Sequence, residues 1–179
     1  MERAIFAGGC FWCTEAFFLD IKGVIEVSPG YTGGHIEYPT YEMICSGTTG
    51  HVEAIEIIYN PKIVTYFNLL KVFFDTHDPT QVDGQGNDIG SQYLSVIYFS
   101  NDQQKIEAQR YIEELINNNN APIVTKLYSE KPFYKAEEYH KNYFNNNRGQ
   151  PYCQIIIEPK YKKFINKYNI LLENNKTIN

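Results

Sequence analysis

Short apolar runs alternate with helix-patterned stretches along almost the whole chain, and few architectures accommodate that order. RAIFA (3–7) is the first apolar run, and it stops at Gly8-Gly9. Residues 10–19 follow as a helix, and Gly23 closes the region. VIEVSPGYTGG (24–34) predicts a strand entering a glycine-rich loop, and HVEAIEIIYNP (51–61) a strand that stops at Asn60-Pro61. In TYFNLLKVFFDTH (65–77), Phe67, Leu70 and Phe74 recur at helical spacing. A polar loop fills 78–92, and YLSVIYF (93–99) is a strand. Ser100 and Gln103 make a capping-box pattern ahead of a helix. That helix carries Ala108, Tyr111, Ile112, Leu115 and Ile116 on one stripe and ends at the NNNN run, 117–120. Further strands are predicted over 122–129 and 154–158, further helices over 136–145 and 160–172, and a frayed tail over 173–179. Such interleaving gives an α/β or α+β fold, a sheet with helices packed on it. With 179 residues, no repeat and no linker, the chain reads as one domain with its own core.

The net charge of −5 and the lack of any basic run argue against a nucleic-acid surface. Lys160, Lys162, Lys163 and Lys167 are spaced as the solvated side of a helix. The opening MERAIFAGG lacks a positive segment followed by an apolar one, which predicts no Sec-type signal peptide. No apolar run approaches membrane length. The 4 cysteines, one CxxC and two singles, do not form a secreted disulfide framework. They point to the reducing cytoplasm, where a CxxC is catalytic or metal-binding.

A strand, two glycines and a helix put Cys10 at a helix N-terminus. Free backbone N–H groups and the macrodipole favour a thiolate there, so Cys10 is a candidate nucleophile. Gly8 and Gly9 leave room for a ligand to approach the backbone. Phe11 and Trp12 fit two roles, plain core packing or an apolar cage for a small alkyl or sulfonium-like group. Cys13 stands one helical turn on, at the spacing of thiol–disulfide enzymes. A zinc site needs about four ligands; there is no second CxxC, and His35, His51, His77 and His140 show no paired spacing, so no metal is expected.

Glu53 lies among Val52, Ala54 and Ile55 at the start of a strand. Pattern alone favours a solvent-facing glutamate; burial would instead raise its pKa and make it an acid. Tyr41, Asp88 and Tyr93 read as ordinary loop, turn and strand-start residues, although a polar loop such as GQGNDIGSQY (84–93) can present side chains to a site.

Taken in order, GGCFW (8–12), GYTGG (30–34), PTYEMICSGTTGHVEAIEI (39–57), FFDTHDPTQ (73–81), QGNDIGSQY (85–93) and PFYKAEEYHKNYF (132–144) resemble the methionine sulfoxide reductase A family, the peptide-methionine (S)-S-oxide reductases. The resemblance runs from Ile5 to about Phe164. It implies a two-layer α/β sandwich around a mixed sheet, ferredoxin-like. It also implies reduction of the S-epimer of methionine sulfoxide, free or in proteins, with no bound cofactor and with thioredoxin or another dithiol as reductant. By that resemblance Cys10 is the nucleophile, Phe11 and Trp12 hold the substrate methyl group, and Glu53 protonates the sulfoxide oxygen. Tyr41 and Tyr93 bind that oxygen, and Asp88 is the polar group of the Gly-Asn-Asp loop. Many members carry Gly where this chain has Cys13, and many end in a cysteine-containing tail; here no cysteine follows Cys153. The resolving thiol is therefore Cys13 or its rival Cys153, or an outside thiol acts directly, and Cys45 is read as structural. Alternatives of another class are a thioredoxin-like disulfide exchanger and a redox sensor that never turns over.

Overall fold

The computed structural model describes residues 1–119 and 122–172. The expected tail 173–179, and the last asparagine of the 117–120 run, lie outside the described residues. β1 (Glu2–Gly8) leads into α1 (Phe11–Phe18), β2 (Val24–Thr32), α2 (Tyr41–Cys45), β3 (Val52–Tyr59) and α3 (Tyr66–Thr76). A short hairpin, β4 (Gly84–Gln85) and β5 (Asp88–Ile89), precedes β6 (Ser95–Phe99), α4 (Asp102–Asn119), β7 (Lys126–Ser129) and β8 (Phe133–Lys135). α5 (Tyr143–Asn146) and α6 (Glu158–Tyr168) complete the order.

The main sheet runs β7-β6-β1-β3-β2-β8. Its inner strands, β6-β1-β3-β2, are antiparallel, and α1 and α3 supply the crossovers, which is the ferredoxin-like arrangement. α4 returns the chain so that β7 pairs parallel to β6, making the sheet mixed, and β8 adds antiparallel to β2.

Strand alternation divides the sheet's side chains between two faces. Ala4, Phe6, Ile55, Ile57 and Tyr59 share one apolar cluster with residues of every helix. Ile5, Ala7, Val52, Ala54, Val96 and Tyr98 form a smaller cluster on the other face. Phe6 sits at the middle of the larger one, stacked on Phe73 at 4.9 Å and tilted against Phe18 at 5.8 Å.

Several local expectations change. The isoleucine-rich 154–158 is not a strand: Cys153–Ile157 is a π-turn that runs into α6. Pro159 has no N–H to give Ile155 and its ring would crowd that carbonyl, so a widened turn just before it relieves both. The helix expected over 136–145 is broken. Glu138–His140 is a 3-10 turn, and Asn142 takes a left-handed conformation at φ 51°, with its N–H given to the Glu15 carboxylate at 2.8 Å. The α4 cap is Asn101, whose Oδ1 accepts from the Gln104 N–H at 3.0 Å, while Ser100 turns to Glu130. α2, the β4–β5 hairpin and β8 fall where no element was expected, and strand 122–129 shortens to β7.

Candidate active site

Cys10 is the N-cap residue of α1 and is buried, the residue 9% exposed. The turn that presents it needs glycine for internal reasons. Gly9 has φ 91°, and a Cβ there would stand 2.7 Å from the Gln85 side chain, so it is the protein itself and not a ligand that approaches. The backbone N–H of Trp12 favours a charge on Cys10, as a helix start should. Burial outweighs it, helped by Cys13 and Glu53, and holds the Cys10 thiol well above its usual range. Cys13 behaves in the opposite way. Interaction with the Cys10 thiol, against the cost of burial, together with Lys160 and the Tyr152 hydroxyl, lowers its pKa. The lowered pKa expected at Cys10 thus falls on its neighbour one turn along. Both are free thiols.

Glu53 does not face solvent. It occupies the second position of β3, in the same alternation as Ile55 and Ile57, and is 1% exposed beneath α1. Its Oε2 accepts the N–H of Phe11 at 3.0 Å. Burial pushes its pKa up to about 8; the Phe11 bond works against this, and Asp88 and Cys13 add to it. The carboxyl is therefore protonated at neutral pH.

Around this pair stand half-buried rings. Trp12 stacks on Tyr143 at 3.8 Å and meets Tyr152 edge-on at 5.8 Å. Phe11 is buried and touches Trp12 and Tyr31 with centroids 6.4 and 5.8 Å away. Tyr41, at the start of α2, and Tyr93, at the end of the 3-10 turn Ser91–Tyr93, are half-buried. Burial, and the carboxylate that Glu53 becomes at alkaline pH, raise both phenols, so they are firm hydroxyl donors near that carboxyl. Asp88, on β5, accepts the Tyr152 hydroxyl at 2.6 Å, and that hydroxyl lies 3.9 Å from the Cys13 sulfur.

The fold thus gathers Cys10, Phe11, Trp12, Cys13, Glu53, Tyr41, Asp88 and Tyr93 into one region. Cys153 is buried behind Cys13, whose charge reaches it. Cys45 is exposed, not a packed structural thiol, and lies near enough to Tyr41 to raise its pKa. Sequence reasoning missed Glu137, His140, Tyr143, Tyr152 and Lys160. The first three belong to the quoted PFYKAEEYHKNYF segment, which was the available signal. Lys160 was read as solvated. It is half-buried, and lines a narrow cleft with Cys10, Cys13, Thr14, Gln85 and Asp88. Among the described residues no three His, Cys, Asp or Glu side chains gather as a metal site, and no helix is long and apolar enough to cross a membrane.

Residues 2–171 match the family model described as peptide methionine sulfoxide reductase. A peptide methionine sulfoxide reductase MsrA of Acinetobacter baumannii (strain AYE) is 49% identical over 97% of this chain and 100% of its own. The crystal structure of reduced Mxr1 from Saccharomyces cerevisiae superposes with a TM-score of 0.78 at 32% identity, covering 85% of this chain and 88% of Mxr1. Mxr1 in complex with Trx2 matches with a TM-score of 0.55 at 25% identity, over 79% of this chain and 84% of that one.

Proposed function

The chain belongs to the peptide methionine sulfoxide reductase family, an oxidoreductase that returns methionine sulfoxide to methionine, and from that premise we propose how its own residues do so. The observation that carries the reading is the Phe11 N–H···Glu53 bond, which pins a proton-bearing carboxyl at the helix start that presents Cys10. A sulfoxide is S⁺–O⁻ in character. Glu53 gives its proton to that oxygen, Tyr41 and Tyr93 donate hydrogen bonds to it, and the sulfur becomes electrophilic.

Cys10 then attacks sulfur. Its proton is lost to solvent as the S–S bond forms. Hydroxyl transfers to the Cys10 sulfur, the thioether leaves as methionine, and Glu53 regains a proton from solvent. A sulfoxide and a thiol have become a thioether and a sulfenic acid. Cys13 attacks the sulfenic sulfur, water leaves, and a Cys10–Cys13 disulfide remains. Phe11 and Trp12 hold the methyl side while the hydroxyls hold the oxygen side, so one epimer, S, fits.

A dithiol restores both thiols by exchange. Thioredoxin fits that role, and the Mxr1 complex with Trx2 supports it. Thiols that must stay reduced suit a cytoplasmic location, and one apolar cluster joining all the helices supports a single catalytic domain. A plain disulfide exchanger gives Glu53 nothing to do.

Mixing the reduced protein with one equivalent of methionine sulfoxide, with no reductant added, tests the assignment. The wild type releases methionine and loses the Cys10 and Cys13 thiols; Cys10→Ser releases none. Methionine from Cys10→Ser would overturn it.

A further inference from the structure

The chemistry above ends with a disulfide that a dithiol must reach, yet both of its cysteines are buried. One approach stands open on the α6 side. There Tyr152, Asp88 and Lys160 wall a cavity of about 260 Å³, and Ile155, Pro159 and the hairpin tip at Gly86 form its rim. Behind it lies a cleft of about 10 Å³, room for one water, lined by Cys10 and Cys13. Cavity and cleft share Gln85, Asp88 and Lys160, so the one leads into the other. The Tyr152 hydroxyl, bonded to Asp88 at 2.6 Å, stands at the junction, 3.9 Å from the Cys13 sulfur.

The rim takes its character from the fold. Cys153 and Ile157 face the core, which turns Ile155, midway between them, out to solvent, 69% exposed. Pro159 is exposed one turn on. Opposite, Gly86 has φ 59° and open space where a Cβ would stand, so no side chain fills the mouth. The Gln81 amide holds that tip from both sides, accepting the Gly86 N–H at 2.7 Å and donating to its carbonyl at 3.2 Å. A single exposed apolar residue is common on a protein surface; here Ile155 and Pro159 flank a mouth that leads to a redox-active pair. The charge at that mouth fits a thiolate: the Lys160 ammonium that lowers the Cys13 pKa also favours a sulfur anion arriving from outside.

We propose that this rim is the docking surface for the thioredoxin-type dithiol protein that recycles the enzyme, and that the attacking sulfur enters through the cavity to Cys13. The partner's thiolate bonds to the Cys13 sulfur, the Cys10–Cys13 bond breaks, and Cys10 leaves as a thiolate that takes a proton from solvent. The partner's second thiol loses its proton and attacks the mixed disulfide; Cys13 leaves, the pair is reduced, and the partner departs as its own disulfide. The substrate side is not the way in, because there Phe11 and Trp12, with the Glu53 carboxyl, shape a pocket for one sulfoxide group. This rests on the reading that Cys13 resolves the sulfenic acid.

A protein dithiol has to press its surface on the rim to bring its sulfur to Cys13. Dithiothreitol does not, so the two reductants separate docking from chemistry. In Ile155→Asp, kcat/KM for thioredoxin should fall about tenfold, the scale of one lost aliphatic contact. Turnover with dithiothreitol, and the first methionine from the reduced protein, should match the wild type. Ile155→Leu should keep thioredoxin turnover, and so should Ile170→Asp, at a residue 91% exposed and outside the cavity. An undiminished kcat/KM in Ile155→Asp overturns the proposal. So does an equal loss with both reductants, which makes Ile155 a residue of the fold, and so does a dimer of the chain that Ile155→Asp dissolves, which gives the face to a second copy. A thioredoxin keeping only its attacking cysteine traps the mixed disulfide; mass spectrometry should find it on Cys13, and finding it on Cys10 overturns the route. The reading beneath has its own check. Protein oxidised by methionine sulfoxide without reductant should carry a Cys10–Cys13 disulfide. If it carries none, the resolving role of Cys13 falls and the proposal with it; if it carries one and Ile155→Asp still accepts thioredoxin fully, the docking surface alone is wrong.

Discussion

Glu53 shows how little of an active-site residue is written in its immediate neighbours. The strand VEAIEIIY holds two glutamates, Glu53 and Glu56, three apart and so on opposite faces. Nothing local says which faces the helices. Glu56 reaches Arg3 at 2.6 Å near the surface, while Glu53 is sealed under α1. Cys10 was legible because glycines and a helix start are local signals, but its charge state was not, since burial is a property of the surroundings. The acid role gives a signed prediction. A carboxyl raised to about 8 is loaded with its proton below that pH and empty above it. Single-turnover methionine formation should therefore fall as pH rises through about 8, to the extent that proton donation limits the step. Glu53→Gln cannot give up a proton and should slow the step by about 10²–10⁴-fold. Rapid quench across a pH series measures both, and in the variant the fall near pH 8 should disappear.

Among the elements, the π-turn and α6 carry the most that was hidden. Their isoleucines signal a strand, and β propensity is easily overridden by context. Continuing as helix brings Tyr152, Cys153 and Lys160 to the side of α1 that bears Cys13. No spacing in the linear chain relates residue 13 to residues 147 positions downstream, so Lys160 read as one more solvated cation. In place, it is a positive charge that favours the Cys13 thiolate. Lys160→Met removes that charge while keeping the aliphatic stem, so the Cys13 pKa must rise. Formation of the Cys10–Cys13 disulfide after the first turnover should slow about three- to tenfold at neutral pH, and recover at higher pH. The first methionine should appear at an unchanged rate. Alkylation trapping with mass spectrometry follows the two steps separately. Cys13→Ser should leave the first methionine intact and slow thioredoxin-driven recycling; if recycling is unaffected, Cys153 or an outside thiol resolves the sulfenic acid.

At the scale of the whole molecule, the order of strands and helices was enough to reach a sheet with helices packed on it, while the ferredoxin-like order of that sheet came only with the family resemblance. One edge strand was not reachable: β8 is a run of three residues whose pairing comes only from the Gly30–Thr32 edge it meets. What the sheet then does is tie the core to the chemistry. Phe73 stacks on Phe6 at 4.9 Å and lies tilted against His77 at 4.2 Å. Its ring also lies directly against Gly8, where an added Cβ would come within 2.8 Å. The turn that aims Cys10 therefore rests on the centre of the apolar cluster. Phe73→Ala removes that support and leaves a cavity with fully buried walls, at a cost of about 3–5 kcal/mol. For a chain of this size each kcal/mol lowers Tm by about 2–4 °C, so calorimetry should show a fall on the order of 10 °C. The same loss should appear in catalysis well below the new Tm, because the Gly8-Gly9 turn gains room to move and Cys10 with it. Phe73→Leu, which refills most of the volume, should recover the larger part of both. A variant that melts early yet reduces methionine sulfoxide at the full single-turnover rate would show that the turn holds its shape without the core beneath it.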